Sequence, residues 1–469
     1  MKNSRNIFVF TLLKFILIGP IAHAQTKLAS LFGNQMVLQQ NAEVLIWGTD
    51  KPNTKINLKT SWGEKANTKT DSNGDWKTAI KTIKAGGPYS ITIKGSNNIE
   101  LQDVLLGEVW LCSGQSNMEM PLSGFPGQPV YGANELIMNS TNNQLRLFHV
   151  KRKASDKPLT SCEGSWKNST PENTAKFSAV AYTYGKILQE ILKVPVGIIC
   201  SSVGGTRVEA WTNNKTLAAN GFDFHSIKNS SEITVNSPSA LFNAMISPLI
   251  PYTIKGVIWY QGESNRHNAE QYRQLFPAMI NSWRKEWNLG DFPFYFTQIA
   301  PFDYKPDFNS AFLREAQLYT LQNTINTGMA VTMDIGEKDC IHPAKKTEVA
   351  QRLAYWALAK TYSYNGIQYS GPLYKSMKIT GNKVEMDFDF ATNGVSSFGK
   401  ELDHFEIAGE NRVFKPAKAT IQRGQLTVYS DLVDKPVAVR YGWKNFVEGS
   451  LFNVYGLPAS SFRTDNWTE

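Results

Sequence analysis

The chain reads as an α/β protein, with a mainly parallel sheet under helices in its middle and β-sandwich modules at both ends. Three observations predict this. Residues 25 to about 105 alternate short strand-like runs with turn clusters. From about Gly107, apolar runs alternate with segments of helical periodicity over about 250 residues. After about Tyr364 the strand pattern returns. At 469 residues the chain exceeds one ordinary core, so several domains are expected. A hydrophobic fraction of 42% and a charged fraction of 19% describe a globular rather than a disordered chain.

The first 24 residues stand apart. Lys2 and Arg5 precede an apolar run from Ile7 to Ile18, interrupted by Lys14, and Ala22-His23-Ala24 then offers a small-x-small cleavage site. This pattern predicts a signal peptide over residues 1–24, too short and wrongly flanked for a membrane span. The expectation is an exported protein, periplasmic or secreted, with no membrane insertion after cleavage. No cysteine follows the cut, so no lipid anchor is expected there. Removing the leader's three basic residues takes the formal charge from +9 to about +6. The remaining basic residues are dispersed, which argues against a nucleic-acid partner.

Between residues 25 and 105, Glu43–Gly48 and Lys55–Lys59 are strand candidates, and turn chemistry separates such runs at Asp50-Lys51-Pro52-Asn53, Asp71-Ser72-Asn73-Gly74-Asp75 and Gly86-Gly87-Pro88. A β-sandwich follows. In the middle region, residues 106–365, the strand candidates are Val109–Cys112, Leu145–Val150, Val196–Cys200, Ile254–Tyr260, Phe294–Ile299 and Met329–Met333. Three helical faces lie between or after them: Phe177 to Ile191, Tyr272 to Trp287, and Val349 to Ala357. Residues 366–469 form a second β-rich module, with strand candidates at Lys383–Phe388, Gln425–Tyr429 and Val437–Tyr441. Cys112, Cys162, Cys200 and Cys340 permit disulfides after export, yet Cys112 and Cys200 sit in apolar strand-like runs that suit buried thiols. No zinc-type Cys/His spacing occurs, so no metal is expected.

In an open α/β sheet, reactive groups gather beyond the carboxyl ends of the strands. Four strand candidates end on polar or glycine-rich segments: Gly114-Gln115-Ser116-Asn117, Ser201-Ser202-Val203-Gly204-Gly205-Thr206, Gln261-Gly262-Glu263-Ser264-Asn265, and the stretch from Asp334 to Asp339 and His342. Ser116 is the candidate nucleophile, although the GxSxG elbow is absent and a helix-capping turn serine is the plainer reading. His342, just before Pro343 and a helical stripe, is the candidate base, with Asp339 as the carboxylate that holds its tautomer. His267 is the rival histidine. An oxyanion hole needs preorganised donors, and the amides of Ser116 and Gly205 with the side chain of Asn265 or Gln261 are the candidates. Gln115, Arg207, Glu263 and Trp259 are the candidate substrate contacts; core packing accounts equally well for the tryptophan. Together these residues supply what serine-dependent acyl transfer requires. A paired-carboxylate glycosidase built on Glu263 and Asp334 is a further reading.

In this order, the segments resemble the sialate O-acetylesterase family of carbohydrate esterases within the SGNH hydrolase superfamily. The resemblance runs from Leu31-Phe32-Gly33-Asn34-Gln35-Met36 through Gly114-Gln115-Ser116-Asn117-Met118, Gly204-Gly205-Thr206 and Trp259-Tyr260-Gln261-Gly262-Glu263-Ser264-Asn265 to Asp339-x-x-His342 and the closing Phe462-Arg463-Thr464-Asp465. It implies an SGNH, flavodoxin-like α/β/α catalytic domain between the β-sandwich modules. It also implies release of acetyl groups from an acetylated carbohydrate without metal or cofactor, with Ser116, His342, Asp339 and Gly205 in the roles above. The superfamily's third block is Gly-x-Asn-Asp, whereas here the asparagine, Asn265, comes one place later, so Asn265 and Gln261 both remain candidates. Two alternatives are an acetylxylan or other plant-polysaccharide deacetylase and a non-catalytic carbohydrate-binding protein.

Overall fold

The computed structural model describes residues 25–222, 232–304 and 308–467; the expected signal peptide lies outside the described residues. Strands Lys27–Leu28, Glu43–Thr49 and Asp75–Lys81 form one sheet of the N-terminal module. Val37–Gln39, Lys55–Thr60, Lys65–Lys69 and Gly86–Lys94 build the facing sheet. In Lys55–Thr60 the period of two is plain, with Ile56 and Leu58 inward and Lys55 and Lys59 outward. Val44, Ile46, Ile56, Leu58, Ile91 and Ile93 close the core between the sheets.

One long strand, β1 (Asn98–Gly114), belongs to both modules. Its first half pairs with Gly86–Lys94 and Val37–Gln39, and its second half enters the catalytic sheet. The boundary expected at residues 105/106 therefore falls inside a continuous strand. Helix α1 (Ser116–Glu119) follows at once. The main elements that follow are β2 (Asn142–His149), β3 (Trp166–Ser169), α2 (Ala179–Leu192), β4 (Val196–Ser202), β5 (Gly256–Tyr260) and α3 (Ala269–Trp287). After them come β6 (Phe294–Thr297), α4 (Ala311–Asn323), β7 (Thr327–Ala330) and α5 (Lys346–Trp356).

The catalytic sheet runs β3-β2-β4-β1-β5-β6-β7, parallel throughout except for the β3 edge. Both faces are covered, as a parallel sheet requires. Val109 and Leu111 of β1, Val257 and Trp259 of β5, and Phe294 and Phe296 of β6 pack into one core with α3. Their alternates Trp110, Cys112, Ile258, Tyr260 and Tyr295 pack into a second core with α2 and α5. All four cysteines are free thiols, and Cys112 and Cys200 face each other across β1 and β4 without bonding.

The C-terminal module sets the sheet of Leu373–Thr380, Lys383–Asp389, Gln425–Tyr429 and Lys418–Gln422 against one formed by Lys415–Pro416, Phe405–Ala408, Ala438–Tyr441 and Phe462–Arg463. It is fastened to α4. The buried guanidinium of Arg314 donates to the carbonyls of Gly442 and Lys444 at 3.0 and 2.6 Å, and Glu315 pairs with Arg463 at 2.7 Å. Among the described residues no helix is long and apolar enough to cross a membrane.

Candidate active site

β4, β1 and β5 end side by side, β7 ends beyond the intervening β6, and the segments that follow them bring Ser116 and His342 together at this edge of the sheet. Gly114 makes the turn into α1 with a φ of +140°, and a Cβ there would lie 2.1 Å from the Tyr260 carbonyl oxygen. Only glycine tolerates both conditions. Ser116 thus becomes the first residue of α1, at the mouth of the sheet.

His342 meets it from the loop that follows β7. The Ser116 hydroxyl donates to His342 Nε2 at 2.7 Å, and His342 Nδ1 donates to Gln128 Oε1 at 2.6 Å. An amide oxygen can only accept, so Nδ1 carries the ring proton and Nε2 is left free to act as a base. Gln128 and Phe125 close a tight turn by two backbone hydrogen bonds, and the Phe125 ring stands edge-on to the imidazole at 5.4 Å. Sequence reasoning had placed Asp339 at Nδ1. Asp339 is instead exposed, and no hydrogen bond joins it to the imidazole. The helix expected to open at Pro343 begins at Lys346. The intervening loop is held by hydrogen bonds from the Ala344 amide to Glu337 at 2.7 Å and from the Tyr131 amide to the Ala344 carbonyl at 3.0 Å.

Beneath the pair lies a buried polar chain that the sequence did not reveal. Asn117 Nδ2 donates to Glu263 at 2.7 Å and to the Ile341 carbonyl at 3.1 Å, while its Oδ1 accepts from Lys346 Nζ at 2.5 Å. One asparagine thereby ties together the serine turn, the histidine loop and the segment after β5. Burial pushes Glu263 up and Lys346 down, the lysine to about 7 despite the neighbouring carboxylate. His342 is pushed down to about 4, first by burial and then by the Lys346 charge.

The oxyanion candidates separate cleanly. Among the described residues the amides of Ser116 and Gly205 have no hydrogen-bond partner. Asn265 spends one amide hydrogen on Glu209 at 2.8 Å and retains a second, while its Oδ1 accepts from the Val208 amide. Gln261 is excluded as a donor, because both hydrogens of its amide are committed, to the Thr206 carbonyl at 3.0 Å and to Asn265 Oδ1 at 2.7 Å.

Three of the four candidate substrate contacts lie in the interior. Trp259 has no exposed surface and packs against Trp211, Phe276, Trp283 and Phe294. Glu263 is buried in the chain just described. Gln115 is buried too, its Oε1 accepting from the Gly262 and Ser264 amides at 3.2 and 3.4 Å. Arg207 alone is exposed, next to Gly205. His267 is exposed, with its ring against Phe308. Asp334, the second carboxylate of the glycosidase reading, is paired with Arg352 by two bonds of 2.7 Å. Among the described residues no group of three or more His, Cys, Asp or Glu side chains is arranged to hold a metal ion.

Comparison with known proteins identifies the family of the chain. The sequence profile of a family described as carbohydrate esterase, sialic acid-specific acetylesterase, matches residues 106–359. The chain is 31% identical over 462 residues to the sialate O-acetylesterase of Homo sapiens, spanning 89% of this chain and 87% of that one. It is 30% identical over 507 residues to the sialate O-acetylesterase of Mus musculus, spanning 93% of each. The structure superposes on a carbohydrate acetylesterase from Xanthomonas citri with a TM-score of 0.86 and 36% identity, covering 94% of this chain and 100% of that one. The chain belongs to the sialic acid-specific acetylesterase family of carbohydrate esterases.

Proposed function

We propose that this protein is an exported SGNH-type serine esterase that removes O-acetyl groups from sialic acid through an acetyl-Ser116 intermediate. The observation that carries the reading is the 2.7 Å hydrogen bond from the Ser116 hydroxyl to His342 Nε2, beside two unpartnered backbone amides. As Ser116 Oγ bonds to the acetyl carbonyl carbon, its proton passes to Nε2. The carbonyl oxygen gains negative charge and is received by the Ser116 and Gly205 amides and the spare hydrogen of Asn265. The bond to the sugar oxygen then breaks, and that oxygen takes the proton from Nε2. Water, deprotonated by the same nitrogen, attacks the acetyl-serine; acetate leaves and Ser116 recovers its proton. Gln128 keeps the imidazole in the tautomer that both halves need. Export rests on the leader pattern of residues 1–24, and sialic acid rests on the named activity of the mammalian relatives.

Acetate release from 9-O-acetylated sialic acid and from acetylated xylan, measured side by side, tests this. Preference for the sialic acid with no turnover by Ser116→Ala is expected. Preference for xylan would retain the chemistry and replace the substrate, whereas activity persisting in Ser116→Ala would overturn the mechanism.

A further inference from the structure

The Gly204–Gly205 pair has no side chain to hold it, so the position of the Gly205 amide is set by whatever grips the neighbouring peptides. Glu119, one turn beyond Ser116 on α1, accepts from the Gly204 amide at 2.6 Å. The approach is close: a Cβ on Gly204 would lie 2.9 Å from that carboxylate oxygen and 3.3 Å from the Ser116 Cβ. Thr206 Oγ1 donates back to the Val203 carbonyl at 2.7 Å, which holds the preceding peptide by its other end.

The following peptides are gripped from outside by one residue. Asn236 Nδ2 donates to the Gly205 carbonyl at 2.9 Å, and Asn236 Oδ1 accepts from the Arg207 amide at 2.9 Å. A single side-chain amide thus spans residues 205 and 207 and fixes Gly205 in its left-handed conformation, φ +72°. Asn236 is itself set in a small turn. Its amide donates to Thr234 Oγ1 at 3.2 Å, and the Thr234 amide donates to Ser237 Oγ at 3.0 Å. Three residues on, the Ser239 amide donates to the carbonyl of Glu209, whose carboxylate orients Asn265. The segment that carries Asn236 is therefore anchored to the same residue that aims the third oxyanion donor.

We propose that Asn236 is a positioning residue for ester hydrolysis: by clasping Gly205 and Arg207 it holds the Gly205 amide where the oxyanion forms. This rests on the esterase reading above. Asn236 touches neither Ser116 nor His342, and it lies 120 residues downstream of the nucleophile in a stretch without recognisable motif. An oxyanion donor acts only when it sits about 2.7–3.1 Å from the charged oxygen, so loosening this clasp weakens transition-state binding while leaving the ground-state complex largely intact.

The test uses the full chain and an aryl acetate, which needs no sugar contact. Asn236→Ala removes both halves of the clasp. Asn236→Asp keeps an acceptor for the Arg207 amide and turns an oxygen toward the Gly205 carbonyl. Both variants are expected to lose about 10- to 100-fold in kcat, less than the ~10²–10³ that follows outright loss of a donor. KM and Tm are expected to stay near wild type, and phosphonylation of Ser116 by a fluorophosphonate is expected to slow in the same proportion as kcat. Wild-type kcat in both variants, a loss confined to KM, or a fall in Tm that accounts for the lost activity would each overturn the proposal. A wild-type enzyme inert to both the ester and the fluorophosphonate would instead remove the esterase reading on which it stands.

Discussion

His342 Nδ1 lies 2.6 Å from Gln128 Oε1, so the group that orients this imidazole is a neutral amide. A neutral amide oxygen accepts from Nδ1 and so sets the tautomer, but it holds it less firmly than a carboxylate would and adds no charge to stabilise an imidazolium. We expect Gln128→Ala to lower kcat by about 10- to 100-fold, in proportion to the orientation it removes. Asp339→Ala is expected to remain within about threefold of wild type, as an exposed residue away from the ring should. Steady-state kinetics of the two variants decide between these partners, and a larger loss in Asp339→Ala would restore the carboxylate to the site.

The pH profile follows from the same environment. The His342 conjugate acid is pushed down to about 4 by burial and by the Lys346 charge. The neutral ring is the base, so kcat/KM should stay level from neutral pH downward and fall only as the pH drops toward about 4. Because the folded-state value lies below the ordinary 6.5, this histidine also costs the fold stability as pH falls from 6.5 toward 4. Gln128→Glu places a carboxylate at Nδ1 and should move the acid limb upward. A wild-type limb near the ordinary histidine value would contradict this account.

Lys346→Met keeps much of the buried volume but removes the donor to Asn117 and the charge beside His342. The acid limb of kcat/KM should rise, since one of the two causes that hold the imidazole down is gone. Stability should fall by about 1–3 kcal/mol, the cost of leaving a buried acceptor unpaired. A pH–rate series and urea unfolding would show both effects, and an unmoved acid limb would show that the ammonium is not felt at the ring.

Trp259 and Arg207 should behave as opposites. Trp259 is fully enclosed by aromatic rings, so Trp259→Ala should cost about 3–5 kcal/mol of stability, read from denaturant unfolding. Arg207 is exposed beside the oxyanion loop, so Arg207→Ala should leave stability unchanged and raise KM for an acetylated sialic acid, which carries a carboxylate. Unchanged KM for Arg207→Ala would remove it from the substrate contacts.

The layers of the catalytic domain were legible because strand and helix periodicities are local. The run Ile254–Tyr260 became β5 at Gly256–Tyr260, and the stripe from Tyr272 to Trp287 became the inner face of α3. The meeting of Ser116 with His342 was also foreseeable, since polar segments after parallel strands collect at one edge of the sheet. That one strand would serve two sheets was not foreseeable. β1 carries an uninterrupted apolar pattern through residues 105 and 106, and nothing in that pattern says that its two halves pair with different sheets.

The amino-acid sequence by itself determined the α/β architecture, the nucleophile and base candidates and the family, because each is written in residue type and short-range spacing. Tertiary structure alone decided who stands next to them. Gln128 reaches His342 across 214 positions and Asn117 reaches Lys346 across 229, and the Asp339-x-x-His342 spacing suggested a nearer partner that the loop does not deliver. Hydrogen-bond partners of buried polar groups are chosen by which segments the sheet brings to one edge, and that choice leaves no periodic trace along the chain.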